Sequence, residues 1–127
     1  MEKTRRKFLQ AGSLGLLGMA GMVNAAHHEG LFVHIFLLKF KPEVPEEKAA
    51  DLMKQLAELK GKIPELKEFL IGKDVSGRNK GYHYAQVSFF DSPEDLEVYE
   101  KHPLHRALVK EIGPRLVEGL AMDYYPL

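Results

Sequence analysis

Leu31-Phe32-Val33-His34-Ile35-Phe36-Leu37-Leu38-Lys39-Phe40 decides the architecture of this chain. Only His34 and Lys39 in that run are polar, and neither spacing of apolar residues marks it as a helix with one buried stripe. It reads as a strand that is apolar on both faces, and both faces must therefore be covered. The elements downstream supply one of the two covers.

Pro42 and Pro45 end the strand and open a helix, with Glu46 and Glu47 in the first turn, where carboxylates suit the macrodipole. Ala49, Leu52, Met53, Leu56 and Leu59 follow at spacings of three and four, up to Gly61. Pro64 leads into a second strand over Leu66–Val75, Ser76–Gly81 makes a turn, and Tyr82–Phe90 is a third strand. Asp91-Ser92-Pro93-Glu94-Asp95 has a capping residue, a first-turn proline and acids behind it, so a helix starts there. Pro103 interrupts it at His102. A further helix runs from Pro103 to about Val117 with a kink near Gly113-Pro114, and Gly119–Tyr125 closes as a fourth strand.

The order β-α-β-β-α-β predicts a ferredoxin-like α+β fold, one antiparallel four-stranded sheet with helices on a single face. The second face of the first strand then needs its own cover. A second copy of the chain supplies it most economically, giving a homodimer whose sheets pack into an α/β barrel.

The chain of 127 residues has room for one such domain over residues 31–127, with residues 26–30 as a flexible lead. Ahead of it, Thr4-Arg5-Arg6-Lys7-Phe8-Leu9-Gln10 precedes a short glycine-rich apolar run and then Val23-Asn24-Ala25. Paired arginines, an apolar stretch too short to span a bilayer and small residues three apart resemble a twin-arginine signal peptide over residues 1–25, cut after Ala25. The competing reading is an uncleaved anchor helix. The expected destination is the periplasm or the cell exterior, with the twin-arginine export machinery as a partner.

The chain is neutral overall, but residues 26–127 hold 14 basic and 17 acidic groups, a net of −3. That balance gives no general attraction for nucleic acid. The absence of cysteine excludes disulfides, a thiol nucleophile, a thiolate metal site and a lipid anchor.

Candidate chemistry gathers at Tyr99 and His102-Pro103-Leu104-His105. Proline at the first helical position places His102 at the cap and His105 in the first turn, where a helix N-terminus disfavours the imidazolium. A neutral His105 next to the phenol of Tyr99 is a base beside a hydrogen-bond donor, a pair suited to moving protons next to a carbonyl. The plain alternative is that His102 caps the helix while Tyr99 and His105 satisfy each other in the core. His102 and His105 with Glu100 or Asp123 make only a weak metal set, since no HExxH pattern is present, and no metal site is expected. His27-His28 reads as a solvated tail. His34 and His83 interrupt neighbouring strands, so both rings are candidates for one cavity, lined further by Phe36 and Leu38. The Lys73–Gly81 loop reads as a solvated hairpin turn.

Val33–Lys41, Gly72-Lys73-Asp74-Val75 and Tyr99-Glu100-Lys101-His102-Pro103-Leu104-His105 together resemble the stress-responsive A/B barrel (Dabb) family, over roughly Leu31 to Tyr125. The resemblance implies a dimeric α+β barrel. A plant cyclase of that family closes a polyketide by aldol condensation without a cofactor; its catalytic tyrosine and histidine match Tyr99 and His105, and its pocket histidines resemble His34 and His83. Three readings follow. The first is a barrel that binds a small apolar or aromatic molecule, and the second a cofactor-independent lyase, cyclase or isomerase using Tyr99 and His105. The third, weaker, is a haem- or quinol-active oxygenase with His105 on the iron. No cofactor is expected under the first two.

Overall fold

The computed structural model describes residues 30–127, so the signal segment, its cut after Ala25 and His27-His28 lie outside the described residues. Residues 31–127 form one compact unit. Its elements are β1 (Phe32–Phe40), α1 (Glu46–Ala57) continued by a 3-10 turn (Glu58–Gly61), β2 (Glu68–Lys73), β3 (Tyr84–Phe90), α2 (Pro93–Lys101), α3 (Pro103–Ile112) continued by a 3-10 turn (Gly113–Arg115), and β4 (Leu116–Tyr124). The sheet order is β2-β3-β1-β4, with every neighbouring pair antiparallel. This is the ferredoxin-like α+β fold expected from the element order. Among the described residues no helix is long and apolar enough to cross a membrane.

Local chemistry sets the helix starts. Ser92 caps α2, its hydroxyl accepting from the Asp95 N–H at 3.1 Å, with Pro93 at the first position. His102 caps α3 as its spacing predicts, Nδ1 accepting from the Leu104 N–H at 3.1 Å. Pro45 offers α1 no side-chain cap; Glu46 instead binds that helix to the sheet, accepting from Tyr84 Oη at 3.0 Å and Lys73 Nζ at 2.5 Å. Burial, and secondly the Glu46 carboxylate, push the Tyr84 phenol up to about 12, so it remains the donor of that bond.

Several boundaries differ from the sequence expectation, and the last helix ends at Ile112 rather than near Val117. β2 and β3 are shorter than read: beyond one backbone bond, from the Asp74 N–H to the His83 carbonyl at 2.7 Å, side chains hold the connection. Asp74 accepts from the Ser76 and Gly77 N–H groups and from Asn79, and Gly77 and Gly81 sit at positive φ. The Ser76 hydroxyl, which donates to Asp74 Oδ1 at 2.8 Å, and then Asn79 and the Gly77 N–H draw the Asp74 carboxyl down to about 2. β4 begins at Leu116 rather than Gly119, because its register with β1 shifts between Lys39 and Phe40. The irregularity admits Val117 without breaking the pairing.

β1 divides its side chains by parity. Phe32, His34, Leu38 and Phe40 are buried and Phe36 half-buried on the helix side. They meet Phe90, Ser88, Gln86 and Tyr84 of β3 and the buried faces of the helices, including Leu52, Leu56, Leu96, Leu108 and Ile112. Each large apolar side chain so buried contributes about 1.5–3 kcal/mol. The opposite parity carries Ile35 and Leu37 beside Met122 and Leu120 of β4, with Leu70 on β2. Met122 is 61%, Leu70 59% and Leu120 47% exposed, so the second face of the sheet is an apolar surface.

Gly119 shows how tightly the helix side is fitted. It lies near the Phe36 ring, and a Cβ there would stand 2.3 Å from Phe36 Cζ. Gly119→Ala must push that ring into the cavity it lines. The substitution is expected to lower unfolding free energy by about 1–3 kcal/mol in urea titration, as for other overpacked sites. A variant as stable as the parent would show that the ring moves freely.

Candidate functional site

A cavity of about 340 Å³ lies between the helix face of the sheet and the helices. Its walls are mainly apolar: Phe36, Leu38, Leu56, Phe69, Val109, Ile112, Leu116 and Ala121. The polar groups that reach it are His34 on β1, Gln86 on β3, and Tyr99, Glu100 and His105 at the α2–α3 corner. An apolar cavity with a few convergent polar groups is the usual form of a small-molecule site.

The Pro103 break turns the chain sharply between α2 and α3 and brings Tyr99 and His105 together. Their ring centroids are 4.4 Å apart at 48°. His105 Nδ1 lies 3.0 Å from the Glu100 carbonyl oxygen, which can only accept, so Nδ1 carries the proton and Nε2 retains its lone pair. Burial lowers the pKa of His105 below the ordinary histidine value; the neighbouring His34 and His102 act in the same direction, and the Glu100 carbonyl opposes them. Tyr99 is 2% exposed and leans on Phe90 at 5.3 Å. Burial, with the Glu100 carboxylate second, holds its phenol well above the ordinary tyrosine value. The pair is thus a neutral base beside a permanently protonated donor.

His34 repeats the arrangement. Its Nδ1 is 2.5 Å from Asp123 Oδ1 and donates to that carboxylate. The partnership follows from register, since His34 and Asp123 are directly opposite in the β1–β4 ladder. His34 also stacks over Phe36, with centroids at 6.3 Å.

His34, Phe36, Leu38, Tyr99 and His105 therefore meet in one cavity, whereas His83 does not join them. β3 begins one residue later, at Tyr84, and its inward positions are Tyr84, Gln86 and Ser88; His83 is exposed before the strand. A side chain of the wrong parity cannot share the His34 cavity, although the two strands are neighbours as expected. Gln86 is the polar residue that β3 contributes, and sequence reasoning passed over it; a lone glutamine at inward parity between Tyr84 and Ser88 was the available signal.

The metal combination does not assemble. His102 is turned to its helix cap, His105 to a carbonyl and Asp123 to His34. Among the described residues no three of His, Asp and Glu converge to hold a metal ion. A haem fits no better, for among the described residues no Lys or Arg lines the cavity to meet propionates.

The described chain is thus a ferredoxin-like α+β domain with a tyrosine–histidine pocket beneath its helices and a partly exposed apolar sheet face. The comparison with known families agrees: residues 32–126 match the Stress responsive A/B Barrel Domain, and the chain belongs to that family. It is 36% identical over 100 residues to the stress-response A/B barrel domain-containing protein HS1 of Arabidopsis thaliana, covering 77% of this chain and 92% of that protein. It is 36% identical over 95 residues to olivetolic acid cyclase of Cannabis sativa, covering 73% and 94%. Among solved structures, a dimeric ferredoxin-like protein of unknown function from Thermobifida fusca superposes with a TM-score of 0.68 at 28% identity, covering 76% of this chain and 92% of that one.

The His105 environment makes a pH statement. Its folded pKa lies below the unfolded value, so the unfolded chain binds the proton more readily. The penalty is absent above the ordinary histidine pKa and grows as pH falls through it toward the folded value. In a histidine-resolved NMR titration His105 is expected to protonate below pH 6.5, the ordinary value. His105→Phe should flatten the stability loss in that window. A His105 titrating above the ordinary value would contradict the buried, neutral imidazole.

Proposed function

We propose that this protein binds a small apolar or aromatic molecule carrying a carbonyl group, and that Tyr99 and His105 act on it as an acid–base pair. One observation carries the reading: His105 keeps Nε2 unprotonated and Tyr99 keeps its hydroxyl protonated, side by side in the wall of an apolar cavity. His105 Nε2 would take a proton from the carbon next to the carbonyl while Tyr99 Oη donates to the oxygen as it gains charge. Such chemistry needs no cofactor and covers lyase, cyclase and isomerase outcomes alike. The kinship with olivetolic acid cyclase supports the reaction class and leaves the substrate open.

The binding unit is a homodimer under this proposal. Ile35, Leu37, Leu70, Leu120 and Met122 form an apolar sheet face that a second copy would cover, as the dimeric Thermobifida fusca relative supports. The N-terminal segment takes the folded domain to the periplasm or beyond, on the pattern Arg5-Arg6 through Ala25.

Native mass spectrometry of the protein recovered from its own cell envelope reads these points together. The expected species is a dimer of chains starting at Ala26, holding a small organic molecule. A monomer would refute the paired sheets, and an intact Met1 would refute the export signal.

Turnover is tested separately, on carbonyl compounds with an acidic adjacent C–H. Solvent-deuterium exchange at that carbon, followed by NMR, is expected to slow about 100-fold or more in Tyr99→Phe and in His105→Gln, with the fold retained. Exchange unchanged in both variants would leave the pocket a binding site without catalysis.

A further inference from the structure

Gln86 occupies the floor of the cavity at the centre of the sheet. It lies opposite Phe36 in β1 and Ile71 in β2, is 4% exposed, and lines the cavity wall. Its Oε1 has no hydrogen-bond partner among the described residues. A buried amide oxygen left without a donor is a standing cost to the fold, and a leucine of similar volume would avoid it. Ser88, the other buried polar side chain of β3, does find a partner, donating to the His34 carbonyl at 3.3 Å. The unmet acceptor is therefore peculiar to Gln86.

The strands fix where that acceptor lies. Tyr99 packs on Phe90, and Gln86 is four residues from Phe90 along β3, about 13 Å at the antiparallel rise per residue. The cavity thus carries the Tyr99–His105 pair on the Phe90 side, His34 in the next row, opposite Ser88, and Gln86 one row further along β3, with apolar walls around them.

We propose that Gln86 selects the ligand, accepting a hydrogen bond from a hydroxyl group carried at the end of the molecule remote from the carbonyl that Tyr99 and His105 address. The ligand class is an aromatic hydroxy-ketone or hydroxy-aldehyde of one or two rings. This rests on the carbonyl-binding reading of the pocket and adds to it the second polar end of the molecule. Gln86 is a specificity residue, and proton transfer at the carbonyl does not pass through it.

The test compares 6-acetyl-2-naphthol with 2-acetylnaphthalene, and 4-hydroxyacetophenone with acetophenone, by calorimetric titration of the dimeric protein. The parent is expected to prefer the hydroxylated member of a pair by about tenfold, against the trend of hydrophobicity. Gln86→Leu should remove or reverse that preference and melt at or above the parent temperature. Equal binding of both members by the parent would overturn the role of Gln86 while leaving the carbonyl pocket standing. Failure of all four to bind would overturn both. Should Gln86→Leu melt several degrees lower, the amide is bonded within the fold, and the proposal falls on that observation alone. The parent's own selectivity decides the matter even if the variant does not fold.

Discussion

The constraint on which the rest depends is that β1 is apolar on both faces and lies inside the sheet, between β3 and β4. An interior strand cannot turn either face to water cheaply, so each parity class of β1 demands its own cover. Phe32, Leu38 and Phe40 receive α1, α2 and α3. On the other face Val33 is buried, Ile35 and Leu37 are only half-buried, and Leu120 and Met122 beside them are exposed. The same alternation that builds the core therefore leaves an apolar surface on the other face of the sheet. Slipping β1 by one residue would exchange the two and destroy both.

The helix-side cover is deliberately incomplete at one place. Pro103 and the cap at His102 bend the chain between α2 and α3, and the corner holds Tyr99 and His105 over β1 and β3 instead of filling the space with leucines. Phe36 leans to its side because Gly119 has no Cβ. The cavity is thus an outcome of backbone geometry at two points, a proline break and a glycine. Its histidines are then oriented by hydrogen bonds through Nδ1, His105 to the Glu100 carbonyl and His34 to the Asp123 carboxylate.

Much of this was legible in the sequence, and what was missed has a common cause. Element order, the topology, the helix caps and the meeting of Tyr99 with His105 all follow from local signals: proline positions, apolar spacing, a capping serine. Strand ends and facing directions do not, because they depend on where ladder pairing gives way to side-chain bonding. Asp74 with Ser76, Gly77 and Asn79 ends β2 before Val75 and delays β3 to Tyr84. That delay puts His83 outside the strand, and its odd parity faces it away from Tyr84, Gln86 and Ser88. The His34–Asp123 pair was similarly invisible, since it needs the register of β1 against β4, to which residues 89 positions apart contribute.

The plain structural account of Tyr99 and His105, in which each satisfies the other, is weakened by their geometry. Mutual satisfaction would be a hydrogen bond between the phenol and the imidazole. What the structure has is ring contact at 4.4 Å, with the imidazole's proton spent on the Glu100 carbonyl. The phenol and Nε2 remain available in the wall of an apolar space. Packing alone would be served as well by Phe at position 99 and Leu at position 105, which bury comparable area without desolvating a hydroxyl and an imidazole. The polar pair is costly as core and useful as a site, and that difference favours chemistry over packing.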